Sequence, residues 1–390
     1  MIFKSNFPNS PDVSVVLSGV SVDYTSIQTV TIDIAENQHD MATIEFVGLL
    51  PKAITNYVGT PVFISISVSP AQVTSFYGYV TYVEPEMTTR LGLINNSPVQ
   101  AATVVCFGSS YDMSSTKNKV WENITIPNLV EKLADTYNYS YSVPSDYFVW
   151  NRLLQNQQSD WAFLKETCSA IGYSLTTNGT HIHVYDPYKA IGRKLPYVEL
   201  VTVRGASGDM VYVPGRIMEF TGTFGDITPD GASNRFDYVG IDSSGKAVVS
   251  STNDTTFSNL GEVVPYKYIT TVNTNVSSVE MLNKFASGAV RKRYPYNAKV
   301  IVTGIPDPVP GSIAKIDNYD SNFDGYWLVR SVKHTVTRSN FLTELTISTD
   351  STNGKNPEVA PVTAYAQPPV PVLSTTNAWK ASKASGEVYV

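Results

Sequence analysis

Two cysteines, four histidines and 16% charged residues in a chain of 390 leave this sequence few ways of doing chemistry. An average soluble domain carries about 25% charged residues, so Ser, Thr, Asn and Gln must supply much of the polar surface here. Two cysteines cannot staple a chain this long. Cys106 in AATVVCFG and Cys168 in an apolar helical pattern read as core residues, with a disulfide between them as the alternative. No run approaches the roughly 20 apolar residues that span a bilayer. The first residues, MIFKSNFPNSPDV, place Pro8 and Pro11 where a signal peptide needs an apolar helix, so a soluble chain not exported by that route is expected. Net charge is −6 and the longest basic cluster is Arg291-Lys292-Arg293, which excludes an extended nucleic-acid-binding stripe. It does not exclude a channel through which DNA passes.

The search for chemistry is equally sparse. His39 follows AENQ in a turn. His181 and His183, two apart in THIHVYD, share one strand face, and Asp186 points away if the strand stays straight. A metal site needs three or four converging ligands, so this pair reads as polar residues on the outside of a hairpin. His334 lies in a strand, RSVKHTVTR, with no carboxylate or cysteine at a telling spacing. No nucleophile elbow, zinc-protease, phosphate-loop or dinucleotide fingerprint occurs. Asp226, Asp230, Asp237 and Asp242 are scattered through turns and strand edges, and a lysozyme-like pair among them is the weaker reading. DNYDSNFDG puts Asn322 and Leu328 where a calcium loop starting at Asp317 needs Gly and an acid, so it reads as a hairpin turn. No enzymatic activity, cofactor or metal is expected.

What the sequence does have is 24 Tyr, 15 Phe and long stretches of period-two alternation. QTVTIDIAE, MATIEFVGL, TPVFISISVSP and VTSFYGYVTYVEP give residues 1–110 as a first β domain. Residues 111–196 read as a small α+β domain with two helices and a hairpin. Residues 197–350 read as a second β domain with a helix inserted at 278–290, and 351–390 as a Pro-rich tether. The chain end, NAWKASKASGEVYV, is either disordered or a docking peptide. The expected fold is mainly β, with two small β-barrels around a helix-containing middle domain.

The helices carry clear punctuation. One begins near Pro127, a first-turn position where proline's missing N–H is harmless, and buries Leu129, Val130, Leu133 and Ala134. The next starts at Ser159 as N-cap and repeats Trp161, Leu164, Cys168 and Ile171 until Gly172 stops it. The hairpin YSLTTNGTHIHVYD turns at Asn178-Gly179. The third offers Ser277 and Glu280 as a capping box.

Three segments, in this order, give the chain a resemblance. The first is VWENITIPNLVEKLADTYNYSYSV, containing Trp121 and Leu133, followed by NQQSDWAFLKETCSAIGYSL with Gln155, Ser159, Asp160, Trp161, Phe163 and Leu164. The second is SNRFDYVGIDSSGKAV. The third runs from YNAKVIVTG to LTIS and carries Gly304, Pro306, Pro310, Gly311, Tyr326, Val329 and His334, with a threonine nine residues after that histidine. Over residues 10–350 the chain resembles the hub proteins of phage baseplates and contractile injection machines, the late-control D-like proteins among them.

The resemblance implies a homotrimer whose two β-barrels per chain make a ring of six, adapting a sixfold tail tube to a threefold spike or fibre. It implies a distal tail protein, other baseplate proteins and passing DNA as contacts, no membrane, and a virion location after synthesis in the infected bacterium's cytoplasm. It makes the SDW helix structural, with Asp160 at the helix's positive end and Trp161 wedged against the hairpin. Tyr77 and Tyr79, opposite Phe76, Val80 and Tyr82, are expected on the barrel exterior as intersubunit residues. A carbohydrate-binding or host-adhesion module is the alternative function, and a peptidoglycan hydrolase a weaker one.

Overall fold

The computed structural model describes residues 11–47, 54–70, 72–94, 97–192, 197–201, 213–224, 235–241, 244–253, 268–272, 278–291, 294, 296–317, 319–320 and 323–349. The chain opens with strands β1 (Asp12–Leu17), β2 (Val20–Ser21), β3 (Ile27–Ala35), β4 (Met41–Val47), β5 (Pro61–Ser69), β6 (Gln72–Ile94) and β7 (Ser97–Gly108). The middle region holds β8 (Thr116–Ile124), helix α1 (Ile126–Tyr137), β9 (Ser140–Ser142), β10 (Trp150–Ser159), α2 (Asp160–Ala170), β11 (Ser174–Asn178), β12 (His181–Tyr185) and α3 (Pro187–Gly192). Then come β13 (Tyr197–Leu200), β14 (Ile217–Phe224), β15 (Arg235–Ile241), β16 (Ala247–Asn253), β17 (Tyr268–Val272) and α4 (Val279–Arg291). The last strands are β18 (Tyr296–Thr303), β19 (Ile313–Ile316), β20 (Gly325–Thr337) and β21 (Phe341–Thr349).

The strands do not close into two barrels. They form one open sheet of thirteen strands in the order β14-β18-β21-β20-β3-β4-β7-β6-β5-β1-β2, with β19 joining β20 and β13 joining β19. The fold is thus a mixed one, dominated by sheets and carrying a helical insertion. The physical reason is a seam. β3 and β20 pair antiparallel from Ala35↔Ser331 to Thr29↔Thr337, so edges expected to close on their own domains are satisfied by each other instead. Along β3 the residues Val30, Ile32 and Ile34 are buried, and opposite them stand Val336, His334 and Val332. One row of side chains therefore crosses from the first β region into the second.

Four buried clusters hold the chain. Val15, Ile32, Ile44, Phe46, Ile64 and Phe76 lead the first, which also takes in Val336 and Phe341 from the end of the chain. Val300, Val302, Trp327, Val332 and Leu345 lead another on the far side of the seam. A small cluster gathers Tyr185, Tyr294, Ile313, Tyr326 and Leu328. The middle cluster joins Trp121, Leu129, Leu133, Trp150, Phe163, Leu164 and Leu175 to Leu282 and Phe285 of α4. α4 and the separate sheet β16-β15-β17 pack on each other and on this middle region, with Phe285 meeting Trp150 edge-on at 5.6 Å. The amphipathic face of α4 was legible in the sequence; its destination was not.

Helix punctuation follows the local chemistry. Ser159 Oγ accepts from Ala162 N at 3.1 Å and caps α2. Thr125 caps α1 through Asn128 N, Pro127 lies in its first turn, and Asn138 ends it in the left-handed region at φ 56°. At α4 the capping oxygen is Ser278 Oγ, which accepts from Met281 N at 3.2 Å, and Glu280 is exposed in the first turn. Ser277, Asp226, Asp230, Asp242 and the tether 351–390 lie outside the described residues.

Candidate functional site: the junction beneath the SDW helix

The five-residue turn Glu36-Asn37-Gln38-His39-Asp40, between β3 and β4, contacts the first β region, the middle region and β20. Glu36 N donates to Arg330 O at 3.0 Å, and its carboxylate accepts from Arg330 Nε at 2.5 Å and Tyr185 Oη at 2.8 Å. Arg330 in turn lies over the ring of Tyr294, 5.3 Å from its centroid. Asn37, at φ 60°, donates its N–H to Leu175 O at 2.6 Å and accepts from Leu175 N on its side chain at 3.1 Å. His39 stacks on Trp161 at 5.0 Å and its Nδ1 lies 2.9 Å from Ser110 Oγ. Asp40 accepts from Thr177 Oγ1 at 3.1 Å and, on its carbonyl, from Gly108 N at 2.7 Å. A first-region turn thereby plugs into α2, into β11 and into β20.

The SDW segment is the other half of the junction. Asp160 is 2% exposed and accepts from Lys117 Nζ at 2.5 Å, Tyr137 Oη at 2.6 Å and Gln155 Nε2 at 2.8 Å. Burial pushes its carboxyl up, and the hydrogen bonds from Lys117, Tyr137 and Gln155 more than offset this, leaving its pKa below the usual value. Gln155 Oε1 accepts from Trp121 Nε1 at 3.2 Å, and Trp121 stacks on Phe163 at 6.2 Å. The spacing Gln155, Ser159, Asp160, Trp161 is thus one arrangement: a glutamine clamp, a helix cap, a buried ion and a wedge. Leu133 and Leu164 fill the core beneath it, and Gly172, at φ 87°, ends the segment. A second carboxylate lies nearby: Asp112 accepts from Tyr79 Oη at 3.2 Å and Tyr139 Oη at 3.0 Å, and its pKa is raised by burial against those bonds.

The remaining sequence candidates fall into place around the sheet. His334 is fully buried, and Thr343, nine residues on, is its cross-strand partner, with Nδ1 3.1 Å from Oγ1. Thr343 Oγ1 also donates to Ile305 O at 3.0 Å, tying down the buried Gly304-Ile305-Pro306 segment. A Cβ on Gly304 would lie 2.0 Å from the Phe341 ring, so only glycine admits that contact. Gly311, at φ 88°, sits against the ring of Tyr185. Tyr326 and Val329 are buried in two different clusters. Tyr77 and Tyr79 pack at 6.1 Å, Tyr77 is buried, and Tyr79 is held by Asp112 of the same chain. Tyr82, expected inside, is 44% exposed because a bulge between Val80 and Tyr82 reverses the alternation.

His181 and His183 do share a face, with Ser142 Oγ 3.0 Å from His181 Nε2 and 2.6 Å from His183 Nδ1. Asp186 is buried and accepts from Lys189 N at 3.3 Å at the start of α3, a short helix the sequence did not announce. Among the described residues no group of three or more His, Cys, Asp or Glu side chains converges as a metal site would require. Both cysteines are buried and unbridged, and burial drives the Cys106 thiol up to about 12. Asp324 accepts from Tyr319 N and Asp320 N, which makes the calcium-like stretch a closed turn. The missed elements are β8 and β10: their Asn- and Gln-rich sequences lack alternation, and Asn123 and Gln157 take positive φ.

One open sheet running through both β regions, joined to a helical insertion, is a fold also found in phage-tail proteins. No family model matches the chain and no curated protein matches it. Solved structures do. A tail protein from Neisseria meningitidis MC58 matches with a TM-score of 0.65 at 13% identity, covering 87% of this chain and 97% of that one. The 43 kDa tail protein of prophage MuSo2 from Shewanella oneidensis matches with a TM-score of 0.62 at 14% identity, covering 87% and 99%. A type VI secretion component of Escherichia coli, described as structurally similar to the T4 tail proteins gp27 and gp5, matches with a TM-score of 0.53 at 14% identity, covering 86% and 77%. At these identities the likeness is one of fold.

Proposed function

We propose that this chain is a structural hub of a phage tail baseplate or tail tip. It acts as a homotrimeric ring that adapts a sixfold tail tube to a threefold spike or fibre and leaves a channel for DNA. The observation that carries this reading is end-to-end likeness: the match takes in 87% of this chain and nearly all of two tail proteins. The junction supports it, because a part that transmits load between tube and spike needs its regions locked together. Here one turn engages α2, β11 and β20 at once.

In this reading the chain works by shape and not by catalysis and needs no cofactor. Its contacts are the tail tube or distal tail protein, a central spike or fibre and other baseplate proteins, without a membrane. It is made in the cytoplasm of the infected bacterium and resides in the virion. Light scattering of the purified chain at several concentrations tests it. Three chain masses are expected, with a central channel in negative-stain images. A monomer at every concentration that also ignores tube and spike proteins overturns the proposal.

A further inference from the structure

Strand β9 is only three residues long and lies at the edge of its sheet, in the order β11-β12-β9. It pairs parallel with β12 through Ser140↔His181, Tyr141↔Ile182 and Ser142↔His183, and Ser140 N donates to Thr180 O at 3.0 Å. So short a parallel ladder is a weak hold. Side chains supply a second one. Ser140 Oγ lies 2.8 Å from His181 Nδ1, and Ser142 Oγ lies 3.0 Å from His181 Nε2 and 2.6 Å from His183 Nδ1. Ser140 Oγ also reaches Thr180 O at 3.5 Å. Two serines of β9 and two histidines of β12 thus alternate in one unbroken hydrogen-bonded chain.

That chain counts protons. A neutral imidazole offers one donor and one acceptor, an imidazolium two donors. With both rings neutral every hydrogen finds an acceptor: His183 Nδ1 donates to Ser142, Ser142 to His181 Nε2, His181 Nδ1 to Ser140, and Ser140 to Thr180 O. One added proton also fits. On His181 it makes Nε2 a donor to Ser142, whose hydrogen passes to an unprotonated His183 Nδ1. A second does not fit, because His181 Nε2 and His183 Nδ1 then both donate to Ser142 Oγ and the Ser142 hydrogen has lost both acceptors.

Nor is there a counter-charge. The rings stand 6.5 Å apart, and no carboxylate bonds to either among the described residues. Across the ladder β11 presents Thr176 and Asn178. Tyr185 stacks on His183 at 5.3 Å, and Glu36 beyond it is taken by Tyr185 Oη and Arg330. Glu131 of α1 accepts from Tyr141 Oη at 3.1 Å, and Tyr141 points to the opposite face of β9 from its two serines.

We propose that the Ser140–His181–Ser142–His183 chain is an acid-operated latch, which holds β9 on the hairpin while at most one ring is charged and releases it when both are. Burial lowers the pKa of both rings in the closed form, that of His183 to about 4. Solvated by release, each takes its proton near 6.5. The closed form is therefore complete above 6.5 and is lost as pH falls from there toward 4. Release frees the connection from α1 to β10 and leaves the large sheet intact. The latch is independent of the trimeric reading above.

Hydrogen exchange of the full chain, corrected for the intrinsic effect of pH, tests it on peptides covering residues 138–143 and, as reference, 41–47 of β4. From pH 7 to pH 5 the protection of 138–143 is expected to fall at least about tenfold, while 41–47 keeps its own. A chain with His181→Gln and His183→Gln, which keeps hydrogen-bonding groups at both positions but cannot titrate, is expected to show no such fall. Unchanged protection of 138–143 in wild type overturns the latch. So does a fall shared equally by 41–47, which is global acid unfolding, or an equal fall in the double variant. The wild-type comparison decides the matter even where the double variant does not fold.

Discussion

Asp40 has nowhere to put a charge. Burial raises its pKa to about 8, only partly opposed by the Thr177 hydrogen bond, and its Oδ1 has no hydrogen-bond partner. An unfolded aspartate ionises near 3.9. Between these two values the folded chain keeps a proton that the unfolded chain has released, so stability falls as pH rises, by at most about 1.4 kcal/mol per pH unit. Asp40→Asn keeps an acceptor for Thr177 and removes the titration. Its melting temperature is expected to exceed that of wild type, with a larger gain at pH 8 than at pH 5. An equal gain at both values would show that Asp40 is ionised in the folded chain.

At the scale of elements, α4 and α2 meet where a side chain does not fit. A Cβ on Gly288 would lie 2.5 Å from the carbonyl carbon of Ile171, an atom of rigid backbone at the end of α2. Glycine inside a helix ordinarily costs about 1 kcal/mol relative to alanine, so Gly288→Ala would stabilise a free helix. Here overpacking costs roughly 1–3 kcal/mol and outweighs that gain. The denaturation midpoint of Gly288→Ala is expected to fall, and a rise would place α4 farther from α2. The SDW helix itself was readable in the sequence because its determinants are local: Ser159 three residues before the amide it caps, and apolar residues at helical spacing. β10 was not, because WNRLLQNQQS becomes a strand only by pairing with β8.

For the whole molecule, the histidines set an acid limit. Burial lowers the pKa of all four: His183 falls to about 4 by desolvation and then by His181, and His334 to about 3 by desolvation alone. His181 is lowered by desolvation, and His39 by desolvation and then Lys165. An unfolded histidine takes up its proton near 6.5. As pH falls from there toward 4, the unfolded chain gains protons that the folded chain refuses, and stability drops by at most about 1.4 kcal/mol per proton and pH unit. A chain with His183→Gln and His334→Gln should therefore gain stability relative to wild type as pH falls from 6.5 to 4, measured by urea denaturation at each pH. Parallel pH curves would mean that these rings are protonated in the fold.

By itself the sequence determined the parts: β-rich stretches around a helical middle, the first-turn proline of α1, the cap of α2, buried cysteines and the absence of familiar catalytic motifs. These rest on interactions within a few residues or on composition, which act before the chain collapses. Only the tertiary structure decided how the parts join. β3 and β20 lie some 300 residues apart, and nothing local states that their edges pair with each other rather than close two barrels. The turn ENQHD reads as an ordinary loop until Arg330, Tyr185, Thr177 and Trp161 surround it. Likewise, His334 and its threonine were visible as a spacing, but only the pairing of β20 with β21 turned that spacing into a hydrogen bond.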